Sequence, residues 1–273
     1  MKALKLSGIV LVAILAFSGG SRSISESQTS ARACTMPNTA FKPGEKVSFS
    51  VAYTVGKVTV NAGIGSFAVT DEKLNGKSVY HVLAQGRTLP SYEWAYKVND
   101  TYETYMDAET LQPLKFVRNI SEGSYKKYQN VSFNKSASTA ITNDGVYKTT
   151  SCVHDVVSAV FYARNIDYSK LRVNDRVSID LFLDNEMHSM YVRYLGKETI
   201  STKYGKFKAI KIKPLTIKGT IFDGGEKMTV WITDDDNRVP IRVESPIIVG
   251  KVRIDMTDFS NLRSPMTALI KKN

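Results

Sequence analysis

Along most of this chain hydrophobic and polar residues alternate with a period of two, in short runs broken by Gly, Asn and Asp. In GEKVSFSVAYTV, Val47, Phe49, Val51 and Tyr53 face one way and Ser48, Ser50 and Ala52 the other, which predicts a strand. KVTVNAGIGSFAVT continues the pattern, and Gly63 and Gly65 inside it mark a bulge or a tight bend of a curved sheet. Asn75-Gly76 is a hairpin signal leading into SVYHVLAQGRT, so these three strands form a meander. SYEWAYKVNDTYETYMD, LQPLKFVRNIS, SYKKYQNVSFN and SASTAITND supply further strands. RVSIDLFLDN, MHSMYVRYLGKETI, KFKAIKIKPLTI, KMTVWITDDDNRVPIRVESP and IIVGKVRIDMTDF follow.

One stretch departs from the rule. In Ser151–Asp167, residues Val153, Val156, Val157, Val160 and Phe161 recur at helical spacing, with Asp155, Ser158 and Arg164 off the stripe. Ser151 is placed to cap this helix, Asp155 and Arg164 complement its dipole, and Asn165 stops it. Four valines form helix poorly, so the helix depends on burial and reads as a plug or lid for a sheet. The expected fold is all-β and mainly antiparallel, a curved two-sheet or barrel-like architecture with one helix, about residues 152–166, packed on or plugging it.

The beginning of the chain reads differently. MKALK is a basic segment, Leu6 to Phe17 an apolar one and SGGS a small-residue cleavage zone, so residues 1–23 are expected to be a signal peptide. Its apolar run is too short to span a bilayer, which needs about 20 residues. Residues 24–40 are polar and turn-rich and predict a flexible tether, and 41–273 a single β-rich domain. An echo of PGEKVSFSV in VNDRVSIDL suggests two similar sheet halves, 41–150 and 167–262, around the helix. The localisation expected is the periplasm or cell envelope of a Gram-negative bacterium, with no transmembrane segment in the mature chain. Losing residues 1–23 removes Lys2, Lys5 and Arg22 and no acid, which lowers the formal charge from +11 to +8. Basic residues scattered along strands in an exported protein argue against nucleic acid. They fit an anionic envelope component, a peripheral envelope contact, or simply a solvated basic surface. Cys34 and Cys152 are expected to pair in an oxidising compartment, lipidation of Cys34 being the competing use.

The chemistry on offer is sparse. Tyr92, Trp94 and Tyr96 on one strand face read either as a platform for sugar rings or as a core or cavity wall, with Tyr102 following. His154 and Asp155 are adjacent and point apart, so they make no base–orienter pair, and no G-x-S-x-G elbow exists; a structural hydrogen bond suits the histidine better. Glu103 and Glu122 raise the question of a glycosidase-type carboxylate pair. Asp234, Asp235, Asp236 and Asn237 read as a hairpin turn rather than a calcium loop. No metal and no cofactor is expected.

The segments FKPGEKVSF, YHVLAQGRT, WAYKVNDTYETYMD, LQPLKF, CVHDVVSAVFYARNID, GKETISTKYGKFKAIKIKPL, GGEKMTVWITDDDNRVPI and IIVGKV together resemble domain-of-unknown-function family 3108, exported proteins of Gram-negative bacteria. The similarity runs from about Phe41 to Leu262. It implies an all-β, barrel-like exported protein and no established activity. The family's recurrent positions here are Gly44, Glu45, Trp94, Asp100, Tyr102, Glu103, Tyr105, Asp107, His154, Asp155, Ser158, Arg164, Trp231, Asp235, Asn237 and Pro240. The resulting expectation is a noncatalytic binding or carrier protein for a lipid or other hydrophobic or anionic envelope component. The ligand-binding candidates are Tyr92, Trp94, Tyr96, Tyr102, Glu103, His154, Asp155, Arg164 and Trp231. The alternatives are a glycan-binding or polysaccharide-export accessory protein, and a hydrolase centred on His154 and Asp155.

Overall fold

The computed structural model describes residues 34–217, 224–247 and 250–273; the expected signal peptide lies outside the described residues. One long curved sheet dominates the molecule. Its first meander comprises β1 (Lys46–Val55), β2 (Val58–Leu74), β3 (Lys77–Thr88), β4 (Asn99–Asp107), β5 (Pro113–Glu122), β6 (Tyr125–Asn134), β7 (Thr139–Thr142) and β8 (Gly145–Lys148). The short β9 (Val153–His154) and helix α1 (Val156–Arg164) follow. The second meander comprises β10 (Arg176–Leu183), β11 (Glu186–Ser201), β12 (Gly205–Pro214), β13 (Thr229–Thr233), β14 (Pro240–Pro246) and β15 (Lys251–Ser260). A last strand, β16 (Leu269–Lys272), pairs with β12.

The two meanders are joined where β1 pairs with β15, giving the order β8 to β1, then β15 to β10, then β9. All pairings are antiparallel except β9 with β10, so the all-β architecture is the one observed. Asn75 (φ 51°) and Gly76 (φ 82°) make the predicted tight hairpin, since two left-handed residues match the strand twist. The bend predicted at Gly63 and Gly65 coincides with a register shift between Val51 and Ala52 on β1.

The sheet is not closed by a ladder. Its two ends are brought face to face by side chains: Phe133 and Tyr147 lie against Phe182, Gln129 bonds Asn185 (3.0 Å), and Arg118 and Lys127 both reach Asp184 at the β10–β11 turn. Through the interior of this curl runs α1. Val156, Val157 and Phe161 join Phe41, Val82, Ala84, Tyr102, Met106 and Phe116 in the core of the first meander.

One expectation is corrected here. The helix is shorter than 152–166, because Ser151 does not cap it. Asp155 does, accepting from the N–H groups of Val157 (2.8 Å) and Ser158 (2.9 Å), while Ser158 Oγ accepts from Asp155 N–H (2.9 Å). That reciprocal box forces the preceding Val153 and His154 into extended backbone. Asp155, Ser158 and Arg164, off the predicted stripe, are buried as well. Residues 34–40, expected as part of the tether, are held against the domain. Cys34 is bonded to Cys152 (Cα–Cα 5.1 Å), Met36 N–H donates to Thr110 O, and Thr39 N–H donates to Asn165 Oδ1. Ala40 and Phe41 are fully buried beside α1.

Candidate functional site

The side of α1 turned away from the first meander lines a cavity of about 130 Å³, partly open to solvent. Val156, Ala159, Val160 and Ala163 form its roof at i, i+3, i+4 and i+7. Ile179, Met190, Ile212, Val230, Val243 and Ile254, one from each of β10 to β15, contribute to its wall. Phe49 and Phe67 close it from β1 and β2. The valine stripe predicted for the helix is therefore divided, Val157 and Phe161 packing into the first core and Val156 and Val160 reaching the cavity, where the small side chains of Ala159 and Ala163 leave the space.

Arg164 is the single charged residue on the lining. It is fully engaged: Nη1 and Nη2 donate to Glu45 Oε1 (2.6 Å) and Oε2 (3.0 Å), Nη2 to Ala40 O (3.2 Å), and Nε and Nη2 to Asn237 O (3.1 and 3.0 Å). The rings of Phe41 and Phe161 flank the guanidinium. Asn237 in turn binds Ser264 and Pro265 carbonyls, so this ion pair ties the N-terminal strand, the helix end, the β13–β14 turn and the C-terminal segment together. The same turn is held by Asp235, which accepts from Thr233 Oγ1, Asn237 N–H and Ala268 N–H; the acidic run is a turn, as its composition predicts, and no metal-ligating cluster occurs among the described residues.

Of the nine ligand-binding candidates, only Arg164 reaches the cavity. Tyr92 ends a short 3-10 turn that begins at Pro90, so Tyr92, Trp94 and Tyr96 do not alternate on a strand. Trp94 stands 85 % exposed with Nε1 donating to Ser91 O (3.0 Å), whereas Tyr96 packs beside Gly123. The expected platform or wall is therefore absent, because proline interrupts the alternation.

Tyr102 is buried on the inner face of β4, paired across from Arg118. Glu103 faces the other way, bonded to His81 Nε2 (2.9 Å) and accepting from Tyr105 OH (3.2 Å), with the His81 and Tyr105 rings stacked at 4.3 Å. Glu122 shares the inner face with Arg118, so Glu103 and Glu122 lie on opposite faces and form no carboxylate pair. Glu122 instead hydrogen-bonds Asp100, whose carboxyl is held above its usual range by burial. Trp231 faces away from the cavity too. It pairs across from Lys211 and Arg242, opposite in parity to Val230 and Ile232, and its Nε1 donates to Glu198 (2.5 Å).

His154 and Asp155 do not act on each other. Asp155 accepts from Thr104 Oγ1 (2.6 Å) as well as from its cap donors, and burial raises its pKa against those bonds. His154 lies against the Tyr162 ring at 4.7 Å, and its Nδ1 is buried with no hydrogen bond. Burial, aided by the Lys135 ammonium, lowers its pKa to about 3. Lys135, itself lowered to about 8 by burial, donates to Val153 O (3.0 Å) and Gln112 Oε1 (3.2 Å). The unfolded chain takes up a proton on His154 near pH 6.5 and the native one resists until about 3, so stability is lost as pH falls through that window, by up to about 1.4 kcal/mol per pH unit. Urea titrations from pH 7 to pH 4 are expected to show this slope shrinking in His154→Phe; an unchanged slope would remove His154 from the account.

Residues 48–257 match the family DUF3108, described as a protein of unknown function. The chain belongs to DUF3108. Among solved structures, the β-barrel-like DUF1849 protein of Brucella abortus superposes with a TM-score of 0.51 at 6 % identity, covering 81 % of this chain and 99 % of that one. That likeness shows the fold. A candidate lipoprotein of Parabacteroides distasonis matches with a TM-score of 0.37 at 14 % identity, over 83 % of this chain and 99 % of its own. A candidate exported protein of Bacteroides fragilis with a YmcC-like fold matches with a TM-score of 0.33 at 13 % identity, over 83 % and 100 %. No match to the sequence was found among curated proteins. In this DUF3108 chain several positions named from the family resemblance meet in space: Glu45, Arg164 and Asn237 form the buried ion-pair hub, and Asp155 and Ser158 the helix cap. No helix among the described residues is long and apolar enough to cross a membrane.

Proposed function

We propose that this DUF3108 protein is a noncatalytic exported carrier that holds a lipid or other hydrophobic envelope component in the cavity between α1 and β10–β15. The observation that carries this reading is the lining: its residues are apolar or aromatic except Arg164, each of whose nitrogens is bonded to Glu45, Ala40 or Asn237, and the Tyr191 hydroxyl is bonded to Glu226. Such a cavity offers a ligand burial and no orienting hydrogen bond, which selects hydrocarbon. An apolar cavity of this size accommodates a small hydrocarbon or a segment of one acyl chain, and its open side lets a longer chain emerge. The glycan alternative has less support, since Trp94 stands alone without Tyr92 or Tyr96 beside it. So has the hydrolase alternative, since His154 and Asp155 share no bond and neither lines the cavity.

The test is to fill the cavity. Ala159→Leu with Ala163→Leu should abolish uptake of a fluorescent fatty-acid analogue that the unaltered protein binds, while circular dichroism and melting show the fold retained. Native mass spectrometry of protein recovered from its own envelope without refolding supplies the companion result, a bound species of defined mass. A filled variant that binds as before would end the proposal, and so would a clean ligand-free mass.

A further inference from the structure

We infer that one edge of the first meander is a docking surface for an anionic phospholipid bilayer. This goes beyond the carrier reading, because it assigns a surface rather than a ligand. In an up-and-down meander alternate turns fall on the same edge, so the β1–β2, β3–β4 and β5–β6 connections lie together. Leu89, at the start of the β3–β4 connection, donates its N–H to Ala62 O on β2, and Gly123 in the β5–β6 turn donates to Lys97 O in the β3–β4 connection, both 2.8 Å. The β14–β15 turn joins them, Lys251 pairing across from Thr54.

These turns carry large apolar side chains with no cover among the described residues: Val55 is 54 % exposed, Val58 65 %, Trp94 85 % and Tyr125 46 %. A β-turn in water has no reason to spend valine and tryptophan at its tip. The same turns carry the exposed cations Lys57, Lys126 and Lys251, and the acid of the β3–β4 connection, half-buried Glu93, is already paired with Lys97 (3.0 Å). Aromatic and aliphatic tips ringed by lysine match the interfacial zone of a bilayer, where indole and phenol rings sit at headgroup depth and phosphates attract ammonium groups. The Trp94 geometry favours lipid over sugar. Its N–H is bonded within its own loop, so the ring can leave water with no donor unpaired, and among the described residues no ring contact extends it into a flat platform.

The chain contains two tryptophans, and Trp231 is buried under Lys211, so Trp231→Phe leaves Trp94 as the reporter of this edge. With vesicles of phosphatidylglycerol and phosphatidylethanolamine, its emission should shift to the blue and be quenched by lipids brominated in the chains. The effect should weaken as salt rises and be smaller with purely zwitterionic vesicles. Replacing Lys57, Lys126 and Lys251 together by Glu should lower the partition coefficient about a hundredfold or more. Co-sedimentation of the unaltered protein against Trp94→Ala gives a second reading if Trp231→Phe does not fold. Emission that stays red with all vesicles overturns the inference, as does a shift produced by soluble envelope oligosaccharide and not by vesicles. The cavity-filled protein is expected to dock normally, which separates failure here from failure of the carrier reading.

Discussion

Glu45→Gln should lower the free energy of unfolding by about 3–5 kcal/mol. The substitution keeps the shape and removes the charge opposite a guanidinium that is 2 % exposed and has no other anion bonded to it in the hub. Removing both charges, in Glu45→Gln with Arg164→Met, is expected to recover part of the loss, because no buried charge is then left alone. Recovery stays incomplete, since the carbonyls of Ala40 and Asn237 lose their donor. A urea denaturation cycle over the four proteins measures the coupling. If the single variant unfolds within about 1 kcal/mol of the parent, the spread of surface substitutions, the hub does not hold the molecule together.

The second large effect concerns the disulfide. Cys34 and Cys152 are 118 residues apart, and for a loop that long the chain-entropy argument gives about 5 kcal/mol of stabilisation. Cys34→Ser with Cys152→Ser should therefore lower the denaturation midpoint strongly at unchanged pH. The local consequence is distinct from the global one. Loss of the bond loosens Cys34–Thr39, which is otherwise held by a few hydrogen bonds, Gln112 Nε2 donating to Cys34 O, Met36 N–H to Thr110 O and Thr39 to Asn165 Oδ1, so protease cleavage in that segment should appear well below the global transition. Equal melting of parent and double variant would sink this account.

The alternation that marks β1 to β6 and β10 to β15 was legible because half-buried antiparallel strands must alternate, and Asn75-Gly76 announces its own turn. Less legible was where alternation stops. Tyr92, Trp94 and Tyr96 keep the period of a strand across a 3-10 turn, and Pro90 was the one residue that spoke against it. The helix start was written as Asp155 and Ser158, three apart, but a serine at 151 competes for the role and only geometry decides. Trp231 and Glu103 face away from the cavity because parity along a strand says which residues share a face, not which face lines it. The cavity was hidden for a further reason. Its lining comes from eight strands and the helix, and what identifies it is the absence of bulk at Ala159 and Ala163, which no motif records.

The junction of the two meanders carries a consequence for how the chain comes into being. β1 pairs with β15, strands separated by some two hundred residues, and every other ladder of the main sheet is local or nearly so. During synthesis β1 and β2 can pair at once, but the outer edge of β1 waits for residues 251–260, almost the end of the chain. Until then Val47 to Tyr53 present an apolar strand with open hydrogen-bonding groups, the kind of edge that recruits other chains. Slow, contact-order-limited folding follows, with aggregation competing at high concentration, and a holding chaperone has its natural target in the first strand rather than the last.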